Sequence, residues 1–420
     1  MTPSFLHLEP SVLEWALQRA RDMHAHPKAI ELLDAWHRGT ALPTFNEINE
    51  VAHLTGIRES DFYLSAPPEL DCELIRMRTC DTPETETASR NLADMHQYNL
   101  QALDFCREHM PEPAFSLSDC PAIRGKSAEA AADAVREFFS LPLDFVTQWK
   151  DPVYALARTR KALSARGIQV HIHDGFCAEY PYLLPVSECR SYSYASEPHP
   201  FIYVNANDMY RGQLYALLFS LIQLLCGRTR LFNDPLSREE LTDEADRFCE
   251  DVTECLLMPT RLFADSWASI QEKFPRKMAL LEDRYMISPY AFLRRAAALG
   301  EIAPDRLQTM KNMTMSTWTP GKENLVIRAS IWAEMVSLPW DVRFLLAADH
   351  AVSQGQLTAE AAYRITHTSR LTYGKTMDRA RRISVFQPDA PKTQKHGSTL
   401  EILGPICIID RKPDERKNRT

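Results

Sequence analysis

Three segments between Phe201 and Pro259 decide how this chain reads: Phe201-Ile-Tyr-Val-Asn205, Leu214-Tyr-Ala-Leu-Leu-Phe-Ser-Leu-Ile-Gln-Leu-Leu-Cys-Gly227 and Glu244-Ala-Asp-Arg-Phe-Cys-Glu-Asp-Val-Thr-Glu-Cys-Leu-Leu-Met-Pro259. The first is a short run of β-branched and aromatic residues ending on asparagine, the composition of a buried strand. The second is a long apolar run that closes on glycine and reads as a helix. The third carries acidic residues in its first turn and an apolar face at helical spacing, and proline follows it. A strand, an apolar helix and an amphipathic helix therefore succeed one another here.

These residues, in this order, resemble the ImmA/IrrE family of zinc metallopeptidases. Members carry an asparagine-ended strand, a helix with the H-E-x-x-H motif, and a later helix of the form E-x-F-C-N-x-V-A-A-E-x-L-x-P. Asp246 to Pro259 follows that last pattern without a gap. Aligning Leu217, Leu221, Leu224 and Gly227 with the motif helix puts Phe219 and Gln223 at the two histidine positions and Ser220 at the glutamate position. The chemistry of an H-E-x-x-H helix needs two imidazoles one turn apart on one face and a carboxylate base beside them. Phenylalanine has no lone pair for a metal, a glutamine amide is a poor ligand, and serine is no carboxylate. Only Asp246, near the family's acidic third ligand, keeps ligating chemistry. The resemblance therefore implies a mainly α (α+β) fold with a zincin-like metallopeptidase core, a small sheet and flanking helical modules. It also implies that the family's zinc is lost and no cofactor remains. Catalytic residues are not expected, and the former site becomes a drier cleft lined by Phe219, Gln223, Asn205, Asp246 and Glu250.

Composition fits a soluble protein. The chain has 420 residues, 45% of them hydrophobic and 25% charged, and a formal net charge of −8. The length calls for more than one structural unit, and a net acidic balance disfavours a protein that coats nucleic acid. Glycine is sparse, at 13 residues, which disfavours glycine-rich nucleotide loops. Ten cysteines occur without a CxxC pair, and with no secretory signal they read as free thiols of a cytoplasmic protein. The most apolar run, Leu214 to Cys226, is too short to span a bilayer.

The flanks divide by composition. Residues 1–66 read as a helical module in which Ser11 and Glu14 suggest a capping box. Trp15, Ala16, Trp36, Gly39, Pro43, Thr44, Phe62 and Leu64 resemble a Cro/repressor-type helix-turn-helix, with an interval between the tryptophans shorter than the family pattern. That shortening removes much of the helix pair that would enter a major groove, so the module reads as degenerate. A helical connector follows at 67–126, where Asp81–Thr87 reads as a loop and the segment after Met110 as a linker. The peptidase-like domain spans 127–265 and includes a Gly167–Gly175 strand and turn. A helix-turn-helix-like pair at 266–316 matches the family at Ile287, Ser288, Ala291, Arg295, Leu299, Gly300 and Ile302. A helical extension at 317–385 comes next, then a linker, a short Leu400–Ile409 strand and a tail at 386–420. His171 and His173 point to one face of their strand with Asp174 adjacent, which offers a relocated metal site or simply a polar strand face. Arg294 and Arg295 are the candidate DNA contacts.

The leading expectation is thus a pseudo-metallopeptidase that binds a protein partner, such as a repressor-like regulator, in stress, phage or mobile-element regulation. The alternatives are a DNA-binding transcriptional regulator with a peptidase-like sensory or dimerising domain, and a metallopeptidase with a rebuilt site.

Overall fold

The computed structural model describes residues 6–22, 25–55, 57–68, 72–80, 88–110, 116–149, 151–175, 184–233, 243–303, 306–310, 312 and 330–386. The expected loop at Asp81–Thr87, the linker after Met110 and the strand at Leu400–Ile409 fall outside them. The chain is mainly helical with a small mixed sheet, and it divides into two units. The first comprises residues 1–101, 174–190 and 230–242; the second comprises 102–173, 191–229 and 243–420. Among the described residues no helix is long and apolar enough to cross a membrane.

The first unit opens with α1 (Pro10–Asp22), α2 (Pro27–His37) and α3 (Phe45–Thr55). Leu13, Ala16, Leu17, Ala29, Leu33, Trp36, Ile48, Val51 and Phe62 close into one core, so the helical spacing of these residues is realised as packing. The start of α1 differs from expectation. Leu13 N–H bonds back to the Glu9 carbonyl, so Glu9 occupies the cap and Pro10 the first helical position, leaving Ser11 inside the helix. Proline is preorganised for that first position and lacks only an N–H that would go unused. The reciprocal capping box lies instead at Thr44 and Glu47. The Thr44 backbone N–H donates to the Glu47 carboxylate at 2.9 Å, and Glu47 N–H donates to Thr44 Oγ1 at 3.3 Å. Elsewhere in this unit, Asn233 exchanges hydrogen bonds with the Cys80 backbone at 2.9 Å in both directions. The α4 helix (Arg90–His109) supplies residues to both units.

The second unit contains α5 (Ala128–Phe139), α6 (Phe145–Trp149) and α7 (Pro152–Ala165), the first capped by Ser127 and the last by Asp151. Three strands of the mixed sheet follow in the spatial order β1 (Gln169–His173), β3 (Phe201–Asn205), β2 (Ser191–Tyr194). β1 runs parallel to β3, pairing His171 with Tyr203 and His173 with Asn205, while β2 runs antiparallel to it. The fourth strand, a three-residue segment at Arg230–Phe232, belongs to the first unit.

On this sheet packs α8 (Tyr210–Leu225), buried at every position from Gln213 to Leu224. It begins earlier than the apolar run suggests, because the polar turn Tyr210–Gln213 is helical as well. Gly227 adopts φ +64, its N–H bonds to the Leu224 carbonyl, and Arg228 N–H bonds to the Gln223 carbonyl. That is the Schellman closure a C-terminal glycine permits. With the short fourth strand counted as β4, the chain continues through α9 (Glu244–Leu257), capped by Asp243. Then come α10 (Thr260–Ser269), α11 (Phe274–Tyr285) and α12 (Pro289–Ala298). Ser288 caps α12 and Gly300, at φ +79, closes it. Helices at Ile331–Ser337, Val342–Ser353, Ala359–Ile365 and Tyr373–Val385 complete the unit.

Candidate functional site

The residues at the motif positions lie on α8 and α9, which pack side by side within the second unit. Gln223 Nε2 donates to Asp246 Oδ1 at 2.6 Å. Arg228 donates to the same Asp246 oxygen at 2.8 Å and, through its other terminal nitrogen, to Asp243 Oδ2 at 2.6 Å. Local structure explains the convergence. The Schellman turn at Gly227 ends α8 and sends Arg228 back towards the first turn of α9, where Asp243 is the cap and Asp246 sits one turn in. Asp246 is fully buried and Gln223 nearly so. A buried carboxylate needs a cationic or hydrogen-bonding partner, and here the guanidinium and the amide supply both. Gln223 Oε1 is buried without a hydrogen-bond partner among the described residues.

The other motif positions turn elsewhere. Phe219 is fully buried in the α8 core. Ser220 Oγ shares a hydrogen bond of 2.8 Å with Ser191 Oγ on β2, and Ser191 also donates to the Ala216 carbonyl. Asn205 acts locally: its side-chain oxygen accepts from Asn207 N–H at 3.0 Å, forming the turn between β3 and α8. Glu250 is engaged by Arg294. Of the expected cleft residues, the structure brings Gln223 and Asp246 together, and Phe219, Gln223, Asn205 and Asp246 are all buried.

These donors do not fit the zinc that the resemblance implies. Phe219 offers no lone pair and Ser220 no carboxylate. The Gln223 amide donates to Asp246, and the Asp246 oxygen it meets is also held by a guanidinium. No metal-dependent step follows from this set.

The β1 histidines have a different setting from the polar strand face expected. Every residue of β1 is buried. His171 stacks on Phe201 with ring centroids 5.3 Å apart and meets Trp340 edge-on at 5.0 Å. His173 lies 4.8 Å from Tyr203 and 5.1 Å from Trp340, centroid to centroid. Both side chains do face the same way, onto a tryptophan far along the chain. Burial lowers the His171 imidazole to about 3, with Arg160 adding to the effect. Burial likewise holds His173 well below its ordinary value, with His171, His367 and Arg160 contributing. Asp174, just past the strand, is half-buried. Among the described residues no group of three or more histidine, cysteine, aspartate or glutamate side chains is placed to hold a metal ion.

The two arginines considered for DNA contact face protein groups. Arg294 bridges Glu250, Asp251 and Glu254 on α9, and its side chain is 19% exposed. Arg295, at 8%, holds the Met258 carbonyl, Thr260 Oγ1 and Glu129. They fasten α12 to α9, α10 and α5.

Arg228 is the site residue that sequence reasoning missed. Its one available signal was position: an arginine directly after a C-terminal glycine, followed by a helix start with two aspartates. No protein-family model, curated protein or solved structure matches this chain.

Proposed function

We propose that the chain is a catalytically inactive pseudo-metallopeptidase of the ImmA/IrrE type that acts by binding a protein, with a repressor-like regulator as the expected partner. The carrying observation is the 2.6 Å contact between Gln223 on α8 and Asp246 on α9. The resemblance assigns those two positions to ligands of one metal, and such ligands must lie within a few ångströms of each other. Residues that meet across two helices, one a poor ligand and the other held by Arg228, are what a peptidase scaffold with a replaced metal centre would contain. Phe219 and Ser220, one turn before Gln223, lack the ligand and the base that hydrolysis by metal-bound water requires.

Zinc content of the purified, untagged protein with a chelator control tests this reading. The expected value is below about a tenth of an equivalent, and near one equivalent overturns it. A second arm tests the positional assignment: the triple substitution Phe219→His, Ser220→Glu, Gln223→His in an Arg228→Ala background is expected to take up about one equivalent of zinc. A folded variant that takes up none contradicts the placement of the motif on α8.

A further inference from the structure

Tyr154, Arg158 and Lys161 follow one another at helical spacing on α7, so they share one face of it. Rings from other segments gather there. Trp149, at the end of α6, meets Tyr154 edge-on at 5.8 Å, and Tyr154 meets Trp332 at 4.5 Å. Trp332 in turn meets Phe386 at 5.0 Å. The Arg158 guanidinium lies 4.8 Å from the Trp149 ring centre, 5.4 Å from that of Tyr154 and 5.7 Å from that of Trp332. One of its nitrogens donates to the Tyr154 hydroxyl at 2.7 Å. The Lys161 ammonium lies 5.1 Å from the Phe386 ring centre and donates to the Phe386 carbonyl. All six side chains are half-buried.

The rings hold two cations that no carboxylate neutralises. Among the described residues neither Arg158 nor Lys161 forms an ion pair. In the same unit Arg211, Arg294, Arg381 and Arg382 each meet an aspartate or a glutamate. Burial, and then the like charge of Arg158, draw the Lys161 ammonium below its usual range. Both cations have N–H groups left over after the bonds they make, and an anion set between them would relieve their repulsion.

The surroundings select what carries that anion. Arg158 or Lys161 already lies over each ring, which leaves little open ring face for a stacked nucleobase. The planar guanidinium fork matches a carboxylate, and tryptophan, tyrosine and arginine dominate the energetics of protein–protein contacts. The chain after Phe386 carries more lysine and arginine than aspartate and glutamate, so its charge does not complement this surface.

We propose that the Arg158–Lys161 face of α7, with Trp149, Tyr154, Trp332 and Phe386 around it, is a docking surface for an acidic segment of a protein partner. One carboxylate meets the free edge of the Arg158 guanidinium and a second meets the Lys161 ammonium. An apolar side chain between them rests on the exposed parts of Trp332 and Phe386. No residue of the α8–α9 cluster takes part, so the surface stands whatever the zinc content proves to be.

The test is fluorescence anisotropy of the full-length protein with a labelled short peptide in which glutamates flank a single phenylalanine. Saturable binding tighter than about a millimolar is expected, weakening as salt is raised. The same peptide with glutamine in place of glutamate is expected to bind about tenfold more weakly or worse. Arg158→Gln and Lys161→Gln are each expected to cost about threefold to tenfold in affinity. Lys161→Gln leaves Arg158 and its three rings in place, which keeps the test decisive if Arg158→Gln does not fold. Absence of binding, equal affinity for the two peptides, or undiminished binding by the folded variants overturns the assignment. Tighter binding of a single-stranded oligonucleotide, lost in the same variants, overturns it in favour of nucleic acid. Self-association that Lys161→Gln abolishes overturns it in favour of a second copy of the chain.

Discussion

The second unit buries polar groups in two clusters of different design. Beneath the sheet, Arg160 spends its guanidinium on backbone carbonyls: Val170 at 2.8 Å, and Met335, Leu338 and Trp340 at 2.7 Å each. Asp341 caps its own helix, and its other oxygen accepts the Val170 N–H at 3.2 Å. That cluster joins α7, β1 and the segment from Met335 to Trp340, with each arginine nitrogen engaged. Between α8 and α9, the Gln223–Asp246–Arg228 cluster leaves the Gln223 oxygen without a hydrogen-bond partner among the described residues. A fully engaged buried network specifies structure, whereas an incompletely engaged one marks a place where structure alone does not explain the residues chosen. The difference teaches that the first cluster is a fastening, whereas the second is not accounted for by structure alone.

Substitutions should separate the two, beginning with the largest effect. Arg160→Ala leaves several buried carbonyls without donors, and a loss of about 3–5 kcal/mol is expected, read from the shift in urea midpoint. A loss below about 1 kcal/mol would remove the contrast on which the comparison stands. Asp246→Leu takes away the acceptor that Gln223 and Arg228 share and leaves Arg228 with Asp243 alone. Its expected cost is about 2–3 kcal/mol by the same measurement.

The histidines beside the Arg160 cluster predict a pH dependence. Both are held neutral in the fold, below their unfolded value, so the unfolded chain binds more protons as acid is added. Their contribution is therefore complete above about pH 6.5 and is lost as pH falls from there towards the folded value. For His171 that lower limit is about 3. Each histidine should impose a slope of up to about 1.4 kcal/mol per pH unit in that window. His171→Phe keeps the ring contacts and should flatten the profile by one such slope in urea titrations at pH 7, 6 and 5. An unchanged profile would show that His171 does not titrate on unfolding. The smallest effect is expected for Gln223→Leu, which loses one hydrogen bond but also removes an unpaired buried oxygen. A change within about 1 kcal/mol of zero is expected, and a loss matching that of Arg160→Ala would make the α8–α9 cluster a fastening too.

Much of the architecture was readable from local chemistry. β3, the apolar α8 with its closing glycine, and the acid-led α9 each carry their own periodic signal and end markers, as do the caps Ser127, Ser288 and Thr358. Reading failed where two local rules competed or where the answer lay across the chain. At the start of α1, serine and proline both signal a helix beginning, and proline prevailed. On β1, alternation of histidines suggested a polar face, but burial was decided by Trp340, nearly 170 residues away. Gln223 and Asp246 could be paired only through the family resemblance, and no periodicity marks Arg228 as the group that completes them.

Arg228 has a consequence for how the α8–α9 joint is assembled. A joint held by a bound ion must be loaded after synthesis, follows the supply of that ion and comes apart under chelation. The cation here is a side chain of the same polypeptide, held 2.8 Å from the carboxylate it neutralises. It arrives with the chain in fixed stoichiometry and cannot be withdrawn by any competitor for metals. The joint is complete as soon as the helices meet.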